Sequence, residues 1–215
     1  MIDLSISGNY LCPDWVDNPI SVWAATGGLL GKIPIICGGY SDASGSGIDE
    51  CHSINKGNVE FFGKLLTKRV DAASVTLNDT YIWITGGKVY DENLRNSTEL
   101  VSKEGITQLG PELPIHLEDH AMINTKSNLT MFIGGSSSAA AQTFYYNHAD
   151  EAWLNGPSLN QGRRDHAVGI VTDEITNENL VIVTGGRYHD NGVIFLKSTE
   201  ILKDDKWIKG ERPEC

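Results

Sequence analysis

The apolar positions of this chain fall in short runs, and four of them end alike. Ile33-Pro34-Ile35-Ile36-Cys37, Tyr81-Ile82-Trp83-Ile84-Thr85, Leu129-Thr130-Met131-Phe132-Ile133 and Leu180-Val181-Ile182-Val183-Thr184 each run into a Gly-Gly pair. The first glycines stand at 38, 86, 134 and 185, so the unit repeats every 48 to 51 residues. A run this short, closed by glycine, predicts a buried strand that stops at a tight turn. Glycine is required there for a positive φ or for the close approach of another backbone.

Three further runs accompany each Gly-Gly strand. Ahead of it lies a run with small residues: Val22-Trp23-Ala24-Ala25-Thr26, Ala72-Ala73-Ser74-Val75-Thr76, Ala121-Met122-Ile123-Asn124 and Ala167-Val168-Gly169-Ile170-Val171. These are predicted as innermost strands, where neighbouring units converge and bulk is excluded. A third strand follows a polar loop: Glu50-Cys51-His52-Ser53-Ile54, Ser97-Thr98-Glu99-Leu100, Thr143-Phe144-Tyr145-Tyr146 and Ser198-Thr199-Glu200-Ile201-Leu202. The outermost runs are Glu60-Phe61-Phe62-Gly63, Thr107-Gln108-Leu109-Gly110-Pro111, Trp153-Leu154-Asn155-Gly156-Pro157 and Trp207-Ile208-Lys209-Gly210. Four strands in this order make a four-stranded antiparallel blade, and a repeat of this length is that of a propeller.

The expected fold class is therefore all-β, a single propeller domain with blades over 21–68, 69–116, 117–162 and 163–215. Residues 1–20 repeat only the end of the unit, since Trp15-Val16-Asp17-Asn18-Pro19 has the spacing of Trp153 to Pro157. They are expected to be a strand pair from the tail of an incomplete blade. Because closure is what removes sticky sheet edges, three outcomes stand: a partial sequence, which is the expectation, edges covered by another chain, or an irregular four-bladed ring.

Charge narrows the function classes. Seventeen Lys and Arg against 28 Asp and Glu give a formal charge of −11, a field that repels phosphate backbones and argues against nucleic acid as a partner. No apolar run approaches the ~20 residues of a membrane-spanning helix. Met1-Ile2-Asp3-Leu4 lacks the basic start and long apolar stretch of a signal peptide.

With the four Gly-Gly pairs, Trp153, Trp207 and Arg163-Arg164-Asp165-His166-Ala167 in view, the chain resembles the kelch-repeat family over nearly its whole length. In detail it is similar to the extracellular kelch proteins of invertebrates, with Ile36-Cys37-Gly38-Gly39 followed by Asp49-Glu50-Cys51-His52, Ser-Thr-Glu in third strands and Trp-x-x-Gly-Pro turns. The resemblance implies a kelch-type propeller that acts as a non-catalytic protein-binding scaffold, without cofactor, outside the cell or at its surface. Two alternatives belong to the same family likeness. Galactose oxidase shares the fold and uses copper with a Cys–Tyr cross-link. Kelch adaptors of ubiquitin ligases are cytoplasmic, and grip acidic peptides with arginines in the slot of Arg69 and Arg163.

Candidate residues follow from the repeat. Cys37 and Cys51 lie on neighbouring antiparallel strands, close enough for a disulfide; the alternative is two buried thiols. Cys12 and Cys215 could bridge only if the chain ends meet. His120 and His166 fall in one slot, fourteen and nineteen residues before Gly134 and Gly185, where the other repeats have Ala24 and Ala72. They read either as metal ligands or as partners of a neighbouring blade's backbone. Arg69, Arg163, Arg164, Arg187, Lys88, Tyr40, Tyr90 and Tyr188 all fall in turns or loops of one face. Arg and Tyr gathered on a loop face are the residues that dominate protein recognition. They point to an acidic protein or peptide partner, against bonds from the arginines to the next blade's carbonyls. Asn78, Asn96 and Asn128 head Asn-x-Thr/Ser sequons for N-glycosylation, two of them in turns on the opposite face.

Overall fold

The computed structural model describes residues 21–55, 58–88, 96–125, 128–136, 140–173, 176–190 and 192–210. Among these residues every regular element is a strand. In chain order they are β1 (Val22–Trp23), β2 (Thr26–Leu30), β3 (Ile33–Cys37), β4 (Tyr40–Ser41), β5 (Ser46–Gly47), β6 (Glu50–Asn55) and β7 (Asn58–Lys64). Next come β8 (Ala73–Leu77), β9 (Tyr81–Thr85), β10 (Thr98–Ser102), β11 (Thr107–Leu109), β12 (Ala121–Asn124), β13 (Leu129–Ile133), β14 (Thr143–Asn147) and β15 (Ala152–Asn155). The last six are β16 (Ala167–Thr172), β17 (Asn179–Thr184), β18 (Arg187–His189), β19 (Val193–Phe195), β20 (Thr199–Lys203) and β21 (Lys206–Lys209).

Four sheets of four strands carry the fold, each antiparallel and ordered along the sequence: β2-β3-β6-β7, β8-β9-β10-β11, β12-β13-β14-β15 and β16-β17-β20-β21. They are blades 1 to 4 below. Two small sheets, β1-β4-β5 and β18-β19, stand on the loops that follow Gly-Gly in blades 1 and 4.

A two-residue side-chain period explains how the blades stack. The residues one and three places before each Gly-Gly face the following blade, and those two and four places before it face the preceding one. Thus Ile35 and Cys37 of blade 1 pack with Ile82 and Ile84 of blade 2. Trp83 of blade 2 packs with Phe132 of blade 3, and Met131 and Ile133 of blade 3 with Val181 and Val183 of blade 4. The Gly-Gly strands are consequently apolar on both faces, as their sequence requires. Trp83 anchors the largest cluster, edge-on to Phe132 with ring centroids 5.3 Å apart and flanked by Tyr146 and Trp153. Trp207 is buried and donates Nε1–H to the Pro157 carbonyl at 2.9 Å, so it bridges blade 4 to blade 3.

The first glycine of each pair is needed where the next blade's connecting segment crosses it. A Cβ on Gly38, Gly86 or Gly134 would run into the carbonyl of Arg69, Leu117 or Arg163, and all three glycines have positive φ. In return the second glycine donates its N–H to those same carbonyls: Gly39 to Arg69 at 2.7 Å, Gly87 to Leu117 at 2.9 Å and Gly135 to Arg163 at 3.0 Å.

Blade 1 departs from the expected pattern. Its inner strand is Thr26–Leu30, and Val22–Trp23 pairs instead with Tyr40–Ser41 on the loop side. The turn from inner to Gly-Gly strand is two residues, Gly31-Lys32, against three in Asn78-Asp79-Thr80, which shifts the alignment by one. Ala25, not Ala24, therefore holds the place of Ala72, His120 and His166. Ala24 aligns with Asp71, Asp119 and Asp165, and all four have φ between 52° and 58°.

Candidate functional site

Cys37 and Cys51 face each other across β3 and β6 and are joined by a disulfide, both fully buried. The same cross-strand place holds Thr85 and Thr98 in blade 2, Ile133 and Thr143 in blade 3, and Thr184 and Thr199 in blade 4. Threonine or isoleucine fills that place in the other three blades, and blade 1 makes the pair covalent. Cys12, Cys215 and Tyr90 lie outside the described residues.

Arg69 and Arg163 do not reach solvent, with 2% and 0% of their surface exposed. Arg69 meets Glu99 at 2.8 Å and caps the carbonyls of Gly86 and Ser97 at 2.7 and 3.0 Å. Arg163 meets Glu200 at 2.9 Å and caps Gly185 and Ser198 at 2.9 and 3.1 Å. The carboxylates also accept backbone N–H groups of the approaching segment, Leu66 and Thr67 on Glu99 and Asn160 and Gln161 on Glu200. These arginines clamp a connecting segment onto its blade. Of the two readings that the sequence offers for them, these contacts are those of the structural one, and each arginine would have to abandon a buried carboxylate to reach a partner.

The remaining anticipated cations sit on the loop face, which a second repeat builds. In every blade the segment entering the inner strand meets the residue after Gly-Gly: Trp23 opposite Tyr40, Val70 opposite Lys88, and Arg164 opposite Arg187. In blade 3 Ser136 N–H bonds the Glu118 carbonyl at 2.9 Å. One residue further on, the left-handed positions link the blades. Asp71 N–H donates to the Ala24 carbonyl, Asp119 to Asp71, and Asp165 to Asp119, at 3.2, 3.0 and 3.0 Å. Asp tolerates this conformation better than most residues, which accounts for its recurrence.

Each of those aspartates holds a cation. Lys88 lies 2.6 Å from Asp71, Arg164 3.2 Å from Asp119, and Arg187 2.6 Å from Asp165. Arg164 also donates to Nε2 of His189 at 2.6 Å. The surplus of positive charge expected on this face is therefore offset, three cations against three carboxylates. Crowding shows in Asp119, whose carboxyl is pushed up to about 6 by burial, then by Asp165 and Asp71.

Between blades 3 and 4 the face opens into a pocket of about 440 Å³, lined among others by Glu118, Ser136, Arg164, Arg187, Tyr188 and His189. Three anticipated residues, Arg164, Arg187 and Tyr188, meet there. Tyr40 stands on the same face in blade 1, its ring 4.9 Å from that of Trp23, and Lys88 on blade 2. His189 belongs to the same loop as Arg187 and Tyr188, whereas Trp23 and the three aspartates are loop-face residues that the sequence reading does not single out. The aspartates had a signal, standing two places after Arg69, Leu117 and Arg163 in three successive connections.

His120 and His166 lie side by side on blades 3 and 4 but serve packing. His120 is buried, shares a 2.8 Å hydrogen bond with Thr85 Oγ1, and has its pKa lowered to about 3 by burial and by His166. In the next blade the place of Thr85 belongs to Ile133, so neither nitrogen of His166 finds a partner among the described residues. Burial, then Arg163, lower its pKa to about 4. Among the described residues no three His, Cys, Asp or Glu side chains converge as metal ligands would.

Asn78 and Asn128 are exposed, in the turns between β8 and β9 and before β13, on the side away from the pocket. Asn96 is half-buried, and its carbonyl accepts the Leu113 N–H at 2.8 Å. Compared with protein-family models and with curated proteins, the chain matches none.

Proposed function

We propose that this protein is a non-catalytic, kelch-type binding module that holds an acidic segment of another protein on its loop face, at the pocket between blades 3 and 4. The observation that carries this reading is the contrast between two kinds of arginine. Arg163 is locked to Glu200 out of water. Arg187 and Asp165 are 37% and 38% exposed at their side chains, and an ion pair that open to solvent is worth only ~0–1 kcal/mol. A carboxylate from a partner can therefore replace Asp165 on the Arg187 guanidinium at little cost, and a second can reach Arg164. Tyr188 beside them supplies the amphipathic surface that recognition sites favour. The reading sets the module outside the cell or at its surface, supported by the Cys37–Cys51 disulfide, a bond that persists in oxidising compartments. Glycans on Asn78 and Asn128 would then stand on the side away from the partner.

The test is affinity capture from the source tissue with the wild type and with an Arg187→Ala, Tyr188→Ala variant. The expected result is a partner with an acidic segment that the wild type retains and the variant loses. A basic partner, or one that the folded variant holds equally well, would overturn this reading.

A further inference from the structure

Both arginines of the loop-face pocket already hold a carboxylate, and the two aspartates concerned differ in their freedom to leave. Asp119, Arg164, Asp165 and Arg187 alternate in a row, at 3.2 Å, 3.8 Å and 2.6 Å from one to the next. Two carboxylates and two guanidinium groups leave the row neutral. The side chain of Asp165 is 38% exposed and that of Asp119 only 5%. A partner's carboxylate arriving at Arg187 can therefore send Asp165 into water. One arriving at Arg164 has no such exit for Asp119. The Asp119 N–H is held by the Asp71 carbonyl, and its carbonyl by the Asp165 N–H, both at 3.0 Å. The backbone thus fixes it on both sides. An ionised Asp119 would then stay buried beside the new charge with its counterion shared, and a like charge that close favours the protonated form.

We propose that the pocket takes up a proton on Asp119 when it binds its acidic partner, and so holds that partner more tightly in mildly acidic than in neutral solution. The coupling rests on the loop-face reading, because it needs a partner carboxylate at Arg164.

The groups that face Asp119 favour this uptake. From blade 2 comes Asp71, whose charge is matched by Lys88 at 2.6 Å. On its own segment Glu118 brings a further carboxylate to the pocket. His120 and His166 adjoin, but pKa values of about 3 and about 4 keep both neutral. On the far side of Arg164, His189 only accepts a hydrogen bond, at 2.6 Å. In the free protein the Asp119 carboxyl is already pushed up to about 6, by burial first and then by Asp165 and Asp71. One more carboxylate raises it further, towards neutrality, whereas the partner's own carboxylates, with ordinary pKa values of about 4, stay ionised.

Fluorescence anisotropy with a labelled peptide of alternating aspartate and serine tests the coupling at low salt. Wild-type affinity is expected to rise about fivefold from about pH 8 to about pH 6, as a shift of about one pKa unit on binding produces. Asp119→Asn supplies a neutral side chain that also tolerates the left-handed backbone. It is expected to bind at the higher pH as the wild type does at the lower, and equally at both. Glu118→Gln and His189→Gln, which remove the acid and the histidine of the lining, are expected to keep the rise. Calorimetry of the wild type in two buffers of different ionisation enthalpy counts the proton without any substitution. Uptake of about half a proton per complex is expected near pH 6.5. A peptide held equally at both pH values, and released by Arg187→Ala, would overturn the coupling and leave the loop-face reading intact. A peptide that binds at neither pH would overturn both. An Asp119→Asn variant that keeps the rise, or calorimetry that finds no uptake, would overturn the coupling alone.

Discussion

Arg163 and Glu200 meet 2.9 Å apart with both side chains out of water, and the chain itself contains the apolar version of the same contact. Arg69 and Glu99 repeat the pair in blade 2. In blade 3 the place of the arginine belongs to Leu117 and that of the glutamate to Phe144, both in the apolar cluster around Trp83. A third residue changes with them. Where Leu66 and Asn160 give an N–H to the glutamate, blade 3 has Pro114, which has no N–H to give. Donor, acceptor and counterion have been exchanged together, so blade 3 carries neither the buried ion pair nor an N–H at the place of Leu66 and Asn160.

Glu200→Ala should accordingly cost about 3–5 kcal/mol, because it strands the Arg163 charge in the interior. Arg163→Leu with Glu200→Phe should recover part of that loss, yet leave the Asn160 and Gln161 amides without an acceptor, at ~1–3 kcal/mol each. Adding Asn160→Pro copies blade 3 and should recover one of those terms. Urea unfolding of the series checks the order, and a triple variant less stable than the double would contradict it.

Much of this fold could be read from the sequence, since four Gly-Gly strands at one spacing place sixteen strands and their order. The inner strand of blade 1 escaped because Gly27 and Gly28 interrupt its apolar pattern and its turn is one residue shorter. Arg69 and Arg163 were placed correctly in the chain, but residue type does not reveal where a side chain points. The signal was the company they keep. Thr-Glu stands at 98–99 and 199–200, in the two blades entered through an arginine, and Thr-Phe at 143–144 in the blade entered through Leu117.

The disulfide offers a second measurement. Cys37→Thr with Cys51→Thr copies Thr85 and Thr98, so the cross-strand place remains filled with a small pair. The double variant should fold and lose about 3 kcal/mol, the chain-entropy worth of closing a loop this short. Adding reductant to the wild type should produce a loss of the same size, and none in the variant. A variant as stable as the oxidised wild type would show that the bond adds nothing.

Stability should fall as the solution is acidified from neutral. His120 and His166 have folded pKa values of about 3 and about 4, against 6.5 as the ordinary value. The unfolded chain therefore takes up protons below pH 6.5 that the folded one refuses. Each such histidine contributes a slope of up to ~1.4 kcal/mol per pH unit, with stability intact above pH 6.5 and lost as pH falls towards 4. Asp119 works in the other sense, because its folded pKa of about 6 lies above the ordinary 3.8. Between those two values the folded state holds the extra proton, which offsets one histidine. His166→Ala, which places there the residue of Ala72, should flatten the profile, and Asp119→Asn should steepen it between pH 4 and 6. Denaturation midpoints from pH 4 to 8 decide, and a wild-type profile flat over that range would refute the assignment.

His166 also supplies a test of polar satisfaction. Its ring lies against Gly134 as that of His120 lies against Gly86, but Ile133 stands where His120 has the Thr85 hydroxyl. Ile133→Thr should give His166 a partner and recover ~1 kcal/mol of hydrogen bonding, set against the apolar contact that isoleucine makes with blade 4. Thr85→Val should cost ~1–3 kcal/mol by leaving His120 Nε2 buried and unpaired. A free-energy difference near zero for Thr85→Val would mean that water reaches the ring.

The loop face separates binding from stability. Arg69→Ala and Arg163→Ala should lower the unfolding free energy by several kcal/mol, since each leaves a buried carboxylate uncompensated. Any loss of binding in those variants should track their unfolded fraction. Arg187→Ala should shift stability by less than ~1 kcal/mol, because its pair with Asp165 is open to water. It should nevertheless weaken an acidic partner by more than about tenfold if that partner's carboxylate sits on the guanidinium. Arg187→Lys distinguishes charge from shape: it keeps the charge but cannot offer two parallel N–H groups, so affinity should fall between wild type and alanine. Salt then separates a direct contact from a long-range one. Raising ionic strength from about 0.05 to 0.5 M should weaken the wild-type complex more than the Arg187→Ala complex, because the lost interaction is the screened one. Equal salt dependence in the two would take Arg187 out of the contact and leave the pocket to its aromatic and polar lining.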